Sequence, residues 1–356
     1  MRAISGVTDS RNLCNAGPKG ALTGYNFMKV IPFIAAIVGL AMIGALVGYF
    51  GAGAVIRSLR AIGWAGFSAI CVIHLVVISL EGIAWRLLVP TARVWAFIWG
   101  RLIRDAGSEV LPISQMGGCV LGARAVALAG VPGSVAAATT MVDLTLEFLA
   151  KLAFMAIGLI LLIDLRPGMP VSLPVTFGLA ATGLFAIAFV VVQRHGFAFF
   201  DRIALMLGRG WAERTASGVA AVHAALAETY QRRAGLWGGF VLHLACWMIS
   251  AVEVWIALRL AGAPLGFPTV LVIESLLYAI RTVAFAIPNA VGVQEGAYVL
   301  IGAAFGLTPE MALAISLLKR ARDLMIGLPA LGTWQVAEGG RLWRRRISFP
   351  DRSGPR

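Results

Sequence analysis

Residues 30–56 contain no charged side chain. As a helix at 1.5 Å per residue, that stretch outruns the roughly 30 Å hydrocarbon core of a bilayer. Inside lipid an unpartnered backbone N–H or C=O costs several kcal/mol, so the chain must close its hydrogen bonds within its own helices. The rest of the sequence makes the same demand: 59% of the 356 residues are hydrophobic and only 13% charged, a balance outside that of soluble domains. The sequence therefore predicts an all-α integral membrane protein.

Further full crossings fall at about 61–89, 132–163, 173–192, 236–260 and 308–336, which makes six. Two apolar stretches, 95–129 and 267–305, are broken near their middles by proline and glycine and are predicted to form re-entrant helical hairpins. Residues 1–29 carry Arg2, Arg11, Lys19 and Lys29 without an apolar core, so they form a polar tail, not a signal peptide. The transmembrane domain is expected over 30–336, with repeat halves at about 61–163 and 236–336, a cytoplasmic loop at 193–235 and a basic tail at 337–356.

The two broken stretches repeat one pattern. Leu111-Pro112, Gly117, Gly118, Gly130 and Pro132 are followed by Asp143 and Glu147; Ile287-Pro288, Gly292, Gly296, Gly306 and Pro309 are followed by Lys319, Arg320 and Asp323. Pro112 to Pro288 and Gly130 to Gly306 share an offset of 176 residues. Interrupted apolar segments at matching positions in two halves point to a transport site. Lys and Arg concentrate in the tails, at Arg93, Arg101 and Arg104, and in the 193–235 loop, whereas the opposite loops hold only Arg57, Arg60, Arg166 and Arg259. The positive-inside rule then places both termini in the cytoplasm. The hairpins around Pro112 and Pro288 would enter from opposite sides as an inverted repeat, their tips meeting inside protein.

Ionisable groups at membrane depth are costly unless paired or hydrated. Asp143, Glu147 and Lys151 are spaced four apart on one helix face. Glu147 and Lys151 could form a structural ion pair, or the acidic face could meet Arg320 or Arg322 of the other half around a headgroup cavity. Lys319, Arg320, Arg322 and Asp323 crowd five positions and must point in several directions. Glu295, beside the second tip, could pair with Arg320 or bind a proton while glycine amides cradle an anion. Arg101, Arg104 and Arg124 flank the first tip as candidate phosphate contacts, the alternative being interfacial snorkelling.

The net charge of +13 sits beside apolar segments, where basic residues meet anionic lipid headgroups, so no nucleic-acid partner is expected. Residues 193–233 read either as a basic amphipathic helix on the inner leaflet or as an ordinary linker helix. Cys14, Cys71, Cys119 and Cys246 have no metal or disulfide spacing, and His74, His195, His223 and His243 read as packing or loop residues. No nucleotide-binding loop or catalytic constellation is visible, and no metal or cofactor is implied.

The order LPISQMGG, GAR, AGVPGS, MVDLTLEFL, followed by IPNAVGVQEGAYVLIGAAFGLTPEMALAISLLKRARDLMIGLPALG, resembles the lysylphosphatidylglycerol synthase transmembrane region, a flippase-like family. The resemblance covers about residues 30–336 and includes a freestanding subgroup associated with hopanoid biosynthesis. It implies lipid translocation between leaflets of the bacterial inner membrane, with membrane lipids, and lipid-biosynthesis enzymes as further partners. The family's first-hairpin pattern falls on Pro112, Gly117, Gly118 and Arg124; its second falls on Gly292, Glu295 and Arg320. Its Glu-Arg-x-x-Asp-like pattern falls on Asp143, Leu144 and Glu147, so the arginine is missing here, consistent with a less anionic lipid such as a hopanoid. Substrate contact by Arg322 and Asp323 completes the expectation. A non-catalytic scaffold for lipid-biosynthesis enzymes is a second reading, and an intramembrane lipid-modifying enzyme a third.

Overall fold

A computed structural model describes residues 52–111, 115–166, 209–284 and 287–348, with isolated helical positions from 41 to 49 and from 180 to 191. The N-terminal tail, most of the first and fourth expected crossings, and Pro112 lie outside them. Every regular element among the described residues is helical: α1 (Ala52–Arg86), α2 (Val94–Glu109), α3 (Gln115–Leu128), α4 (Gly133–Leu165), α5 (Arg209–Gln231), α6 (Arg233–Leu260), α7 (Phe267–Val283), a 3-10 turn (Pro288–Ala290), α8 (Val293–Ala304) and α9 (Pro309–Ser348).

The boundaries follow local chemistry. The turn expected at Arg57 and Arg60 is displaced, because α1 runs through both and breaks instead at Gly63, with φ 66° and ψ 179°. Only glycine adopts that conformation readily. After α1, the Arg86 guanidinium donates to the carbonyls of Pro90 (2.6 Å) and Ala92 (3.3 Å), satisfying acceptors beyond the helix end. The corners following α3 and α8 are equivalent: Gly130 and Gly306 both take positive φ, 101° and 81°, and Pro132 and Pro309 then start the next helices.

Helix packing is symmetric under exchange of the two halves. Helices α1 and α6 pack on each other, α1 packs on α2 as α6 does on α7, and α3 packs on α4 as α8 does on α9. The arms of each hairpin, α2 with α3 and α7 with α8, pack together. Across the halves, α4 contacts α6 and α7, just as α9 contacts α1 and α2. The described part of the 193–235 loop is helix α5, which packs on α4 and buries Ala225 and Leu226 in an apolar core with Trp85, Phe97, Val142 and Leu146. A second core gathers Ile273, Tyr298, Ala312 and Ile315 of the other half.

Helices α1 (from Ile56), α4 and α6 are each long and apolar enough to cross a membrane. Helix α9 is longer still but carries Lys319, Arg320, Arg322 and Asp323 in its first half. Val120, Ile160, Trp237 and Leu300 are all more than 65% exposed. Apolar groups so displayed suit lipid rather than water.

The arms of the first hairpin touch through glycine. A Cβ on Gly118 would sit 2.5 Å from the Arg104 carbonyl oxygen and 2.8 Å from the Ser108 nitrogen, and one on Gly122 would sit 2.7 Å from the Arg104 Cβ. Small residues let membrane helices approach this closely. A Cβ on Gly296 meets nothing within 4 Å. We expect Gly118→Ala to destabilise the folded protein by about 1–3 kcal/mol through overpacking, while Gly296→Ala is neutral or mildly stabilising. Thermal unfolding in detergent micelles, comparing the two variants, checks this.

Candidate functional site

Helix α2 brings Arg101, Arg104 and Asp105 within one helical turn and lies against both α1 and α9. Arg101 donates to both oxygens of Glu147 on α4 at 2.8 and 3.2 Å and to Asp105 at 3.0 Å, and it lies 3.0 Å from Glu81 on α1. Arg104 donates to Asp143 at 2.8 Å and also to Glu147. The planar guanidinium fork suits such shared carboxylate pairing. Asp143 is completely buried, and its other oxygen meets Nε2 of His243, from α6 of the second half, at 2.9 Å.

The second half has its own networks. Glu295 accepts hydrogen bonds from the Gly292 amide (2.7 Å), the Ser316 hydroxyl (3.0 Å) and the Arg320 guanidinium (2.5 and 3.1 Å). Arg320 also reaches the carbonyls of Asn289 and Ala290 at 3.4 Å. This staples a turn in which Asn289 and Ala290 both hold positive φ, 49° and 44°. Lys319 donates to Glu274 at 2.8 Å and to the Tyr298 hydroxyl at 3.1 Å, and Tyr298 donates to Glu274. Arg322 pairs with Glu253 and, at 2.7 Å, with Asp323.

Further contacts cross between the halves near their junction. Arg281 on α7 reaches both carboxylate oxygens of Glu109 at 3.1 and 3.2 Å, and the Asn289 side chain donates to the Glu109 carbonyl at 2.7 Å. The end of the first hairpin's leading arm thus meets the tip of the second inside the protein. His74 on α1 lies 3.6 Å from Glu253 and 3.9 Å from Asp323, mirroring the reach of His243 to Asp143.

Between the halves lies a cavity of about 280 Å³. Five basic residues (Arg101, Arg104, Lys151, Arg281 and Arg322) and five acidic ones (Glu81, Asp105, Glu109, Glu147 and Asp323) line it, so its overall charge is nearly balanced. That volume falls just below the roughly 300–1,000 Å³ of drug-sized ligand pockets.

Of the residues singled out from sequence, Arg101, Arg104, Glu147, Arg322 and Asp323 line this cavity, with Asp143 behind them. Arg124, Glu295 and Arg320 do not. Arg124 is exposed and pairs with Glu338 at 2.6 Å. The expected meeting of the Asp143/Glu147 face with Arg320 or Arg322 does not occur, because Arg101 and Arg104 of the same half occupy that face and Glu295 occupies Arg320. The anticipated Glu147–Lys151 pair is likewise displaced, and Lys151 lies instead over the Trp247 ring, 5.0 Å from its centroid. The Gly292 amide, read as an anion cradle, is filled by the protein's own Glu295. Gly117 and Gly118 fall within α3 rather than in a turn, and Gly296 within α8. Sequence reading missed Glu81, Trp247, Tyr278 and the two crossing histidines as site residues; a histidine amid apolar positions was the available signal for His243. Among the described residues no cluster of three or more His, Cys, Asp or Glu could hold a metal ion.

A body whose described residues are all helical or in turns, with apolar side chains displayed outward and charged ones gathered around a polar cavity, is a multi-pass membrane protein. The sequence matches the family described as the lysylphosphatidylglycerol synthase TM region over residues 33–330, and the chain belongs to it. The family connects the protein with membrane lipid. No curated protein and no solved structure matches the chain.

Removing one partner of a buried ion pair strands the other charge at a cost of about 3–5 kcal/mol. Lys319→Met is expected to lose about that much, whereas Lys319→Met with Glu274→Gln, which keeps an acceptor for Tyr298, recovers most of it. Unfolding in micelles followed by tryptophan fluorescence compares the two.

Proposed function

We propose that the protein is a flippase-like lipid translocase of the bacterial cytoplasmic membrane, moving a hopanoid or a phospholipid between leaflets without enzymatic chemistry. The observation that carries this reading is the charged cavity at the junction of two halves whose helices pack equivalently. A headgroup crossing a bilayer needs polar groups that replace its water, and paired side chains can exchange partners with it. The hairpins 95–129 and 267–305 are read as re-entrant, entering from opposite sides, with six full crossings and both termini cytoplasmic. Pairing of Glu109 with Arg281 and Asn289 supports this arrangement, since it joins the two hairpins where their backbones would otherwise lack partners. Inverted repeats of this kind alternate access by rocking about a fixed central site. Transport is driven by a gradient or runs passively.

The scaffold reading, in which the charges only hold helices together and enzymes of lipid biosynthesis dock outside, predicts no lipid movement. Proteoliposomes carrying a fluorescent phospholipid or hopanoid, quenched from one leaflet, distinguish the two. Protein-dependent transbilayer movement is expected, slowed at least about tenfold by Arg281→Gln, which removes a charge-assisted contact between the halves. Absence of movement by the folded wild type would overturn the proposal. Topology has its own check: cysteines placed near Arg209 and in the C-terminal tail of intact cells should resist labelling from the periplasm.

A further inference from the structure

Two histidines bridge the halves at equivalent places, and they are partnered differently. His243 sets Nε2 2.9 Å from Asp143, while its Nδ1 is buried with no hydrogen-bond partner among the described residues. A neutral imidazole donating from Nε2 satisfies that arrangement, and a second proton would leave a buried donor without an acceptor. His74 turns each nitrogen toward a different carboxylate: Nδ1 lies 3.6 Å from Oε2 of Glu253, and Nε2 lies 3.9 Å from Oδ1 of Asp323. A neutral imidazole can donate to only one of them and turns a lone pair on the other, whereas an imidazolium donates to both.

At those distances neither contact is a hydrogen bond. His74 Nδ1 and Glu253 Oε2 are both buried and have no other hydrogen-bond partner among the described residues. An unpartnered oxygen on a carboxylate only 1% exposed is costly. Charge is uneven here too. Arg322 alone stands against both Glu253 and Asp323, so that group carries one negative charge in excess, which a proton on His74 cancels. The other charged groups of the elements packed on α1 are already engaged. Lys319 on α9 has Glu274; on α2, Asp105 has Arg101 and Glu109 has Arg281. On α4, Glu147 is held by Arg101 and Arg104, and Lys151 lies over Trp247. On α1 itself Glu81 pairs with Arg101, and Cys71 is one turn away. His74 is also the histidine that a proton can reach: it lines the cavity with its side chain 20% exposed, whereas that of His243 is completely buried.

We propose that His74 is the proton-binding site of the cavity and that this proton is the ion that couples lipid movement to a gradient. The coupling rests on the translocase reading and names its driving ion. The step balances: water on one side of the membrane gives a proton to the unprotonated imidazole nitrogen, an N–H bond forms, and the proton returns to water on the other side once the halves have rocked. His74 belongs to the first half, and Glu253 and Asp323 to the second. Charging the imidazole therefore adds an attraction across the junction that the neutral ring lacks, and favours the arrangement closed at α1, α6 and α9. Only such differential binding can shift an equilibrium between two states.

Two measurements on the full chain test this. With isotopically labelled histidine in neutral detergent, imidazole nitrogen shifts followed by NMR from pH 5 to 8 report which rings take up a proton. A signal that passes to the doubly protonated form and is missing from His74→Gln is expected. The second uses proteoliposomes with the potential clamped by potassium and valinomycin. With the pH differing by one unit across the membrane, a fluorescent phospholipid should settle unevenly between leaflets, up to about tenfold for one proton per lipid. At equilibrium His74→Gln should hold that ratio near one. A carrier that was merely slowed would reach the wild-type ratio late, so the ratio separates lost coupling from structural damage. A His74 ring whose charge never changes across that range, an even distribution by a wild type that moves lipid, or the wild-type ratio in His74→Gln overturns the proposal. An even distribution with protein-dependent movement leaves the translocase reading standing. Titration of His74 without any lipid movement would sink that reading and the coupling with it, and leave a proton site at the junction.

Discussion

A carboxylate inside a membrane protein is tolerable only when a cation or water stands against it, and this structure is organised around meeting that condition four times within one turn or two of helix. Glu81, Asp105, Asp143 and Glu147 converge on just two guanidiniums, Arg101 and Arg104. Such convergence fixes the distance between α1, α2 and α4 more stringently than apolar packing does, because a shift of an ångström or two would strand a charge. The bare backbone at Gly118 and Gly122 belongs to the same solution. It lets α3 lie directly on the stretch of α2 from which Arg104 projects, so the arginine's base is clamped while its head serves α4.

The two halves solve the problem separately and differently. The first uses arginines from a hairpin arm to neutralise acids on the following long helix. In the second, the long helix α9 carries the cations, and the acids come from the hairpin and from α6. Because each half is nearly self-sufficient, few charged contacts are needed across the junction, and the cavity survives there instead of being filled by ion pairs. The non-equivalence also leaves Lys151 over: the two acids nearest it on its own helix, Asp143 and Glu147, are claimed by the arginines of α2.

Much of the architecture was legible in the chain. Apolar runs of bilayer length, glycine corners 176 residues apart and the proline breaks gave the helical class, the repeat and the hairpin arms, because these depend on local backbone preference and on the medium. Partner choice was legible only in part: pairing of Glu295 with Arg320, one of the two readings of that carboxylate, is found, whereas the partners of the first half were not. A spacing of four residues correctly put Asp143, Glu147 and Lys151 on one face, but it could not say which of several arginines would reach that face, since that depends on how α2 is docked. A Glu147–Lys151 pair, one of two readings left open, is not found for this reason: two guanidiniums from another helix, one of them bidentate, outcompete one flexible ammonium on the same helix. The break at Gly63, three residues past Arg60, shows the converse, a single glycine overriding a pair of arginines. The histidines were read as packing or loop residues because an isolated histidine in an apolar run does not say which carboxylate it will meet.

The link between Asp143 and His243 joins the two halves of the fold and two stages of the chain's synthesis. One hundred residues separate them, so during synthesis the first half enters the membrane while the partner of its most deeply buried carboxylate does not yet exist. One oxygen of Asp143 has Arg104 from the outset; the other gains its protein partner only when α6 is made. Helix α6 therefore has a role in biogenesis that its position as a central strut conceals: its arrival supplies the second partner of the first half's most deeply buried carboxylate.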